Sequence, residues 1–303
     1  AKEQIELVDV IVEPQPVVAG SPNKYVVQLS EGEEYSFLVH HSNSPNVRAT
    51  GSLCPYDYKT DLSRGLLINN KLVCPEHGCE FNIENGEVEN GPSVNGIPVF
   101  KVSQVEEGKE ARLKVQLPKR PPIAVIPQMI FRNPNDFRKV IIVGCGAGAL
   151  GTAETLRKIA YTGELMVFCN EKQGFVQRRH FTKCSRLAGN EQMIFYRNPS
   201  VLKKASIEVS GGDFVDKVTL LDDYGYLNVE GKGNYYFDAL VMATGERHFG
   251  PNYESLDASN LVSLVDFDSF KRAEALLNKS KVVAVNGINL DSLELVSTLL
   301  RER

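Results

Sequence analysis

Residues 140–156 read VIIVGCGAGALGTAETL, a short apolar run followed by a glycine-rich turn and a stretch of helical character. Gly144, Gly146 and Ala149 match the pattern G-x-G-x-x-G/A, and Gly148 lies within the same turn. Glycines at these places permit a tight turn and let the backbone approach a pyrophosphate. The negative charge of that group then faces the amides at the start of the following helix. The stretch therefore predicts the first turn of a dinucleotide-binding domain.

The residues that follow complete a β-α-β unit. A predicted strand at 140–143 and a predicted helix at 149–159 are followed by a second apolar strand at 165–169, so the period changes from strand to helix to strand. Glu171 follows this second strand, 27 residues after Gly144. An acidic residue in this place usually holds the ribose hydroxyls of the cofactor. The context makes Glu171 a candidate cofactor-binding residue.

The chain changes character near residue 118. Before it, short β-rich runs at 5–12, 25–29 and 35–39 are separated by Gly, Pro, Asn and Ser, which is typical of a small all-β domain. After it, the sequence KRPPIAVIPQMIFRNPN carries four prolines, which favour an extended connection. The predicted fold class is multidomain β plus α/β, with an all-β domain over 1–118, a Pro-rich linker over 119–137 and a Rossmann-like α/β domain over 138–303.

Two loops of the β domain carry cysteine. Cys54 begins the run CPYD, and Cys74 begins the run CPEHGCEF, which contains His77. The second loop lies between LLINNKLV, a hairpin-like run, and FNIENGEV. This layout resembles that of Rieske ferredoxin domains, whose motif is C-x-H followed by C-x-x-H after a gap of about seventeen residues. The resemblance implies a [2Fe-2S] cluster held by Cys54, Cys74 and His77. Tyr56 stands in the place of the fourth ligand.

Tyr56 changes the chemistry of this ligand set. A Rieske centre holds one iron by two thiolates and the other by two imidazoles, and the neutral nitrogen ligands raise its reduction potential. Tyrosine binds iron as a phenolate, and its unperturbed pKa of about 10 makes it a poorer ligand than imidazole at neutral pH. We therefore expect the Rieske fold to persist without a normal cluster. Two alternatives stay open, namely buried structural cysteines and a zinc site formed by Cys54, Cys74, His77 and Cys79.

Two further runs connect the second half to a family of flavoproteins. The run FVQRRHFTK contains Arg178 and Lys183, and the run FDALVMATG ends in Thr244 and Gly245. With the glycine turn, they resemble the FAD domain of pyridine-nucleotide-dependent flavoprotein reductases. The order of a Rieske domain followed by a reductase domain is that of apoptosis-inducing factor 3-like proteins. The resemblance implies FAD as the cofactor and places these four residues in contact with it.

The end of the chain departs from that family. In the family a strand and a second G-x-G-x-x-G turn begin an NAD(P)H-binding module, which is expected here from Lys281 onwards. Asn286, Ile288 and Asp291 occupy the three glycine positions. Ile288 puts a branched side chain where the backbone must approach the pyrophosphate, and Asp291 adds a negative charge beside it. We expect a degenerate module that does not bind NAD(P)H in the usual manner.

Composition and charge limit the function further. The net charge is −4 with Lys and Arg scattered along the chain, so nothing provides the basic footprint of a nucleic-acid binder. No apolar run approaches the roughly 18 residues that suggest a transmembrane helix. Cys145, Cys169 and Cys184 fall in the α/β half and are expected to be small buried residues. His180 and His248 are expected at the surface.

Two functional hypotheses of different classes follow. The first is an enzyme in which FAD accepts electrons from NAD(P)H and passes them through an iron–sulfur centre to a quinone, a cytochrome or a protein acceptor. The second is a redox-inactive relative that serves as a structural or accessory subunit of a larger assembly. The family resemblance favours the first hypothesis, and the residue losses in two of its motifs favour the second. The same resemblance favours a mitochondrial over a cytoplasmic location.

Overall fold

The protein is described here by a computed structural model that covers residues 6–29, 33–41, 47–107, 110–187, 194–246 and 259–302. The chain divides into two compact units, Ala1–Gln128 and Met129–Arg303. The border between them falls inside the Pro-rich stretch. The first unit is built from β-strands and the second from strands and helices, which confirms the predicted fold class.

The first unit contains two antiparallel sheets. One has the strand order β1-β10-β9-β4-β3-β2, and the other has the order β5-β6-β7-β8. The three runs predicted as strands correspond to the first three strands. The strands are β1 (Leu7–Val12), β2 (Asn23–Gln28), β3 (Glu34–His41), β4 (Val47–Gly51), β5 (Leu66–Ile68), β6 (Lys71–Val73), β7 (Glu80–Asn82), β8 (Val88–Asn90), β9 (Val99–Glu107) and β10 (Glu110–Pro118).

The six-stranded sheet buries one of its faces. Leu113, Val115 and Leu117 alternate along β10 and are buried, as the two-residue period of a strand requires. They belong to one apolar cluster with Tyr25 and Phe37, whose rings stack with centroids 5.5 Å apart. This packed sheet fixes the end of β4 and the start of β9, and the four-stranded sheet is inserted in the chain between them.

The four-stranded sheet carries the cysteine loops. Its first hairpin turns at Asn69 and Asn70, which have φ of +47° and +63°. Asn tolerates this left-handed region, and two such residues are typical of a tight hairpin turn. Leu72 and Phe81 are fully buried and pack in one cluster with the cysteines of both loops. The loops are therefore anchored in an apolar core.

The second unit has a parallel sheet with the order β13-β12-β11-β17 and an antiparallel sheet with the order β14-β15-β16. A helix connects β11 to β12, which confirms the predicted β-α-β unit and the Rossmann-like class. The elements are β11 (Lys139–Val143), α1 (Ala147–Lys158), β12 (Glu164–Cys169), α2 (Pro199–Lys204), β13 (Glu208–Gly211), β14 (Val215–Leu220), β15 (Gly225–Val229), β16 (Gly233–Phe237), β17 (Ala239–Met242), α3 (Phe267–Leu277) and α4 (Leu290–Glu302), with a 3₁₀ helix at Arg178–Leu187.

Two buried charged residues anchor α1. Arg157 is fully buried and donates hydrogen bonds to the carbonyl oxygens of Ala205 and Gly163, at 2.9 and 3.0 Å. Glu154 forms a buried ion pair with Arg197. Buried charged groups that are paired in this way hold the surrounding elements in one arrangement. The start of α1, where the glycine turn lies, is thereby fixed relative to the strands.

The last described segment departs from the NAD(P)H-binding module of the family. The strand that the resemblance implies is not formed, because residues 281–289 are irregular. Val282 and Ile288 are 86% and 98% exposed. A strand needs a neighbour for its backbone hydrogen bonds, and the sheets of the described part of the chain do not include this segment. Helix α4 follows, and its Glu294 accepts a hydrogen bond from Thr182.

Candidate redox-cofactor sites

The two cysteine loops lie side by side. Cys54 Sγ, Cys74 Sγ and a ring nitrogen of His77 all lie within 4.8 Å of one another. Each loop is closed by its own backbone, because Cys54 N donates to Thr60 O at 2.9 Å and Cys74 N donates to Cys79 O at 2.8 Å. The chain itself therefore brings together the three residues that sequence reasoning singled out as metal ligands.

His77 connects the thiols to a carboxylate. Its Nδ1 lies 3.5 Å from Cys74 Sγ, and its Nε2 lies 3.9 Å from Asp57 Oδ2. Asp57 is fixed in turn, since its Oδ1 accepts hydrogen bonds from the amides of Lys59 and Thr60 at 3.1 and 3.0 Å. At 3.9 Å the two groups are too far apart for a hydrogen bond, and the negative charge of Asp57 acts on His77 by raising the pKa of the imidazole.

The charges of the cluster are coupled through hydrogen bonds. The pKa of Cys74 is lowered to about 4, chiefly by the hydrogen bond with Cys54 and also by the contact with His77, while burial opposes the shift. Hydrogen bonds with Cys74 and Cys79 raise the pKa of Cys54. The bond with Cys74 also raises the pKa of His77. The hydrogen bond with Cys54 also lowers the pKa of Cys79. The lowered pKa values of Cys74 and Cys79 favour the thiolate, which is the form in which sulfur binds metals.

Tyr56 stands beside His77 in the place of a fourth ligand. Its ring is buried, with its centroid 4.8 Å from that of the imidazole. The donor set is two thiols, one imidazole and one phenol, whereas a Rieske cluster takes two thiolates and two imidazoles. The residues fit this cluster at three positions and not at the fourth. Cys79 hydrogen-bonds to Cys54. Among the described residues, however, its sulfur does not lie within 4.8 Å of all three other ligand atoms, so the four atoms of the zinc alternative are not gathered in one group.

The glycine turn forms an open cradle at the start of α1. Gly144 has φ of +120°, and a Cβ added there would lie 2.1 Å from the carbonyl oxygen of Ala243. Gly146 and Gly148 face open space in the described part of the chain, because a Cβ added at either meets nothing there within 4 Å. No side chain caps the first turn of α1, and Ala149 packs inward. The amides of this turn therefore meet the requirements of a pyrophosphate site.

Glu171 follows β12, the neighbour of β11, and is 8% exposed. Its Oε2 accepts a hydrogen bond from Phe267 N at 3.3 Å, and its Oε1 accepts one from Arg178 Nη2 at 3.4 Å. Burial raises the pKa of Glu171. Each carboxylate oxygen keeps a second lone pair, so a ribose hydroxyl can be bound as well. The side chain of Lys183 lies outside the described residues.

Strand β17 brings the third part of the site to the same edge. It runs parallel to β11, and Ala243 N donates to Val143 O at 2.8 Å. Thr244 and Gly245 come next, and a Cβ added at Gly144 would lie 3.1 Å from Thr244 N. The carboxyl ends of parallel strands form the ligand-binding crevice of such folds. The glycine turn, Glu171 with Arg178, and the Thr–Gly pair thus share one edge of the sheet.

Sequence reasoning missed a contact between two thiols at this edge. Cys145 in the glycine turn and Cys169 at the end of β12 are buried, as expected, and they also hydrogen-bond to each other. The signal for this contact lies in the parallel register, which pairs Val143 with Phe168. Residues just beyond the ends of two paired parallel strands are necessarily close together.

The expectation that His180 lies at the surface was wrong. The residue is buried, and its Nε2 lies 3.1 Å from Gln177 Oε1. The 3₁₀ helix that begins at Arg178 has three residues per turn, which places His180 directly above Gln177. His248 and the side chain of Cys184 lie outside the described residues.

Comparison with known proteins first defines the class of the first unit. Residues 14–115 match the family model described as the Rieske [2Fe-2S] domain. The chain therefore carries a Rieske-type domain, although the matched residues make up about a third of its length. No helix in the described part of the chain is long and apolar enough to cross a membrane.

The relatives then narrow the family. Apoptosis-inducing factor 3 from Mus musculus and its counterpart from Homo sapiens are each 30% identical to this chain over 122 residues, which are 39% of this chain and 20% of the relative. The predicted resemblance to apoptosis-inducing factor 3-like proteins is thus confirmed over these 122 residues. The chain spans about a fifth of the length of these relatives. Among solved structures, the covalent putidaredoxin reductase–putidaredoxin complex is 23% identical with a TM-score of 0.46, covering 56% of this chain and 40% of that chain.

Proposed function

We propose that the chain is an FAD-dependent oxidoreductase in which a Rieske-type electron-transfer domain precedes the flavin domain. The observation that carries this proposal is the shared sheet edge, where an open glycine turn, a buried acidic residue and a Thr–Gly turn meet. The relationship to apoptosis-inducing factor 3 supports an oxidoreductase over an accessory subunit, because a Rieske-type domain and a dinucleotide turn are kept in one chain.

The residues of this edge have separate roles in holding the cofactor. FAD supplies the electron-accepting chemistry when it is bound. The amides of Gly146 and Gly148 receive the pyrophosphate, and Glu171 accepts hydrogen bonds from the ribose hydroxyls. Arg178 forms an ion pair with Glu171 and opposes the rise in the pKa of Glu171 that burial causes. Thr244 and Gly245 close the crevice opposite α1, and the open space at Gly245 leaves room for the ligand.

Cys54, Cys74 and His77 form a thiol–imidazole cluster. This cluster belongs to the Rieske-type domain and has an altered donor set. Cys54 and Cys74 are the residues that would hold one iron, and His77 the residue that would hold the other. Tyr56 offers a phenol where a second imidazole is required. The buried phenol and its close contact with His77 do not reproduce a normal Rieske centre, so the proposed function rests on the flavin site and assigns no electron step to a cluster.

The reductant and the acceptor follow from the same proposal. The irregular segment 281–289 gives no second glycine turn, so we expect weak use of NAD(P)H by this chain. We propose a protein electron acceptor as the partner and a mitochondrial location. Both are supported by the family relationship, and fractionation of cells that express the tagged chain tests the location.

A titration of the full chain with FAD tests the proposal. Gly146 has φ of −84°, which any residue adopts, so Gly146→Val fills the cradle without straining the backbone. Gly151→Val is the matched control, because Gly151 also faces open space but lies within α1. We expect FAD binding to weaken at least about tenfold, or roughly 1.4 kcal/mol, in Gly146→Val alone. Absence of flavin binding by the wild type, or equal binding by both variants, refutes the proposal.

A further inference from the structure

Two buried thiols meet beneath the pyrophosphate cradle. Cys145 is the middle residue of the Gly144–Gly146 turn, and Cys169 ends the neighbouring strand β12. The thiols hydrogen-bond to each other and are not joined as a disulfide. Cys145 is 9% exposed and Cys169 is 2% exposed. The flavin site described above uses neither sulfur, so the pair needs an account of its own.

The backbone around the pair ties it to both halves of the flavin site. Gly144 N donates to Phe168 O at 2.8 Å, which places the turn directly against the end of β12. Cys169 Sγ donates to the carbonyl oxygen of Glu171 at 3.2 Å. Cys145 lies between two glycines of the cradle, and Cys169 lies two residues before Glu171. A change at the sulfurs therefore affects the cradle on one side and the ribose-binding carboxylate on the other.

We propose that Cys145 and Cys169 form a reversible oxidation site whose disulfide weakens FAD binding; this rests on the proposed function. Oxidation draws the turn towards β12 and removes the hydrogen bond from Cys169 to Glu171. The cradle and the carboxylate then lose their relative positions. Bound FAD lies over the turn and shields Cys145, so oxidation and flavin binding oppose each other. Linkage requires that bound FAD lowers the equilibrium constant for disulfide formation by the same factor by which the disulfide lowers the affinity for FAD.

The chemistry needs a small oxidant, and a hydroperoxide such as hydrogen peroxide supplies it. The Cys145 thiolate attacks the peroxide oxygen, the O–O bond breaks, and a sulfenic acid and one water are formed. The Cys169 thiol then attacks the sulfenic sulfur, the S–S bond forms, and a second water leaves. Two thiols lose two electrons and two protons, and one peroxide is reduced to two waters. Cys145 is the more exposed of the two residues, so its sulfur is the one that peroxide reaches first.

Peptide mapping by mass spectrometry tests the site in the full chain. Cys184 is replaced by alanine throughout, so that the second unit holds no third thiol. Flavin-free and FAD-loaded samples are treated with equimolar hydrogen peroxide, blocked with a maleimide and digested. We expect a Cys145–Cys169 disulfide in the flavin-free sample and formation at least tenfold slower with FAD. No such peptide, or equal rates in both samples, overturns the proposal.

A second measurement compares FAD affinity before and after oxidation. We expect the affinity of the oxidised chain to fall at least tenfold and to return after treatment with dithiothreitol. Cys169→Ser keeps a donor for Glu171 but cannot form the disulfide, and Cys169→Ala removes both. Neither variant can form the disulfide, so the loss of affinity after peroxide should be much smaller in both than in the wild type, because only a sulfenic acid at Cys145 remains. An unchanged affinity in the disulfide form overturns the inference, whereas failure of the reduced wild type to bind FAD refutes the proposed function instead.

Discussion

The same substitution, glycine to alanine, should have opposite effects at two positions four residues apart. Gly144 has φ of +120° and faces the carbonyl oxygen of Ala243, whereas Gly148 lies in the first turn of α1 and faces open space. Gly144→Ala therefore adds a methyl group where both the backbone and the space forbid it. Gly148→Ala adds the same group where neither does.

The magnitudes follow from the geometry. At Gly144 the added Cβ would lie 2.1 Å from Ala243 O, and real Cβ atoms essentially never come closer than 3.0 Å to such a neighbour. A non-glycine residue in this backbone conformation costs about 1–3 kcal/mol, and forced packing costs about 1–3 kcal/mol more. We expect Gly144→Ala to lower the free energy of unfolding of the second unit by about 4 kcal/mol. Gly148→Ala should raise it by about 0.5 kcal/mol, because alanine favours the helix.

Urea unfolding followed by the helical circular dichroism signal measures this difference. The helices α1 to α4 all lie in the second unit, so the signal reports on that unit. The comparison of two glycine-to-alanine variants removes the effect that alanine has on the unfolded chain, which both variants share. If Gly144→Ala is within about 1 kcal/mol of Gly148→Ala, the close approach between the turn and β17 is not as described.

Three further predictions concern the electron path and the first unit. Stopped-flow mixing of the FAD-loaded chain with micromolar NADH should leave the flavin absorbance unchanged over seconds, whereas dithionite should bleach the flavin. Rapid bleaching by NADH would show that the nicotinamide module is active. After treatment with iron and sulfide, Tyr56→His should show the visible absorption and the electron paramagnetic resonance signal of a Rieske centre. Tyr58→His is the matched control and should show neither. Equal spectra of the two variants would show that the ligand position is misassigned. Burial lowers the pKa of His40 to about 3 from an ordinary 6.5, so the stability that the neutral ring confers is full above pH 6.5 and is lost as the pH falls towards 3. In His40→Leu the acid unfolding of the first unit, followed by hydrogen exchange, should move to lower pH, and an unmoved midpoint would contradict the buried neutral ring.

The parts of the molecule that sequence reasoning located are those that local patterns determine. The glycine turn, the strand before it and the helix after it are specified by residue types within 140–156, and β11 and α1 lie there. The cysteine loops were found in the same way, since Cys54, Cys74 and His77 have a fixed spacing and hairpin flanks. Short-range periodicity and turn chemistry are enough for such elements.

The contacts that sequence reasoning missed join residues far apart in the chain. Glu171 accepts a hydrogen bond from Phe267 N, at a distance in sequence of 96 residues. Arg157 donates to Ala205 O, 48 residues away. Both partners are backbone groups, an amide and a carbonyl. The residue type does not show which backbone group takes part in such a bond. Such pairs become visible once the strands and helices are docked, because the docking decides which backbone groups are buried and need a partner.

The fold of the first unit and the occupation of its thiol–imidazole cluster are separate properties. Cys54 N and Cys74 N are held by backbone hydrogen bonds within their own loops, and both sulfurs sit in an apolar core with Leu72 and Phe81. Hydrogen bonds and apolar packing hold the loops side by side. This arrangement of the loops needs no metal–ligand bonds. Tyr56 is itself a member of this apolar core, so a tyrosine in the place of histidine alters the ligand set and adds a buried ring to the packing. The match of residues 14–115 to a Rieske domain therefore reports the fold, and the donor atoms at positions 54, 56, 74 and 77 decide the cofactor.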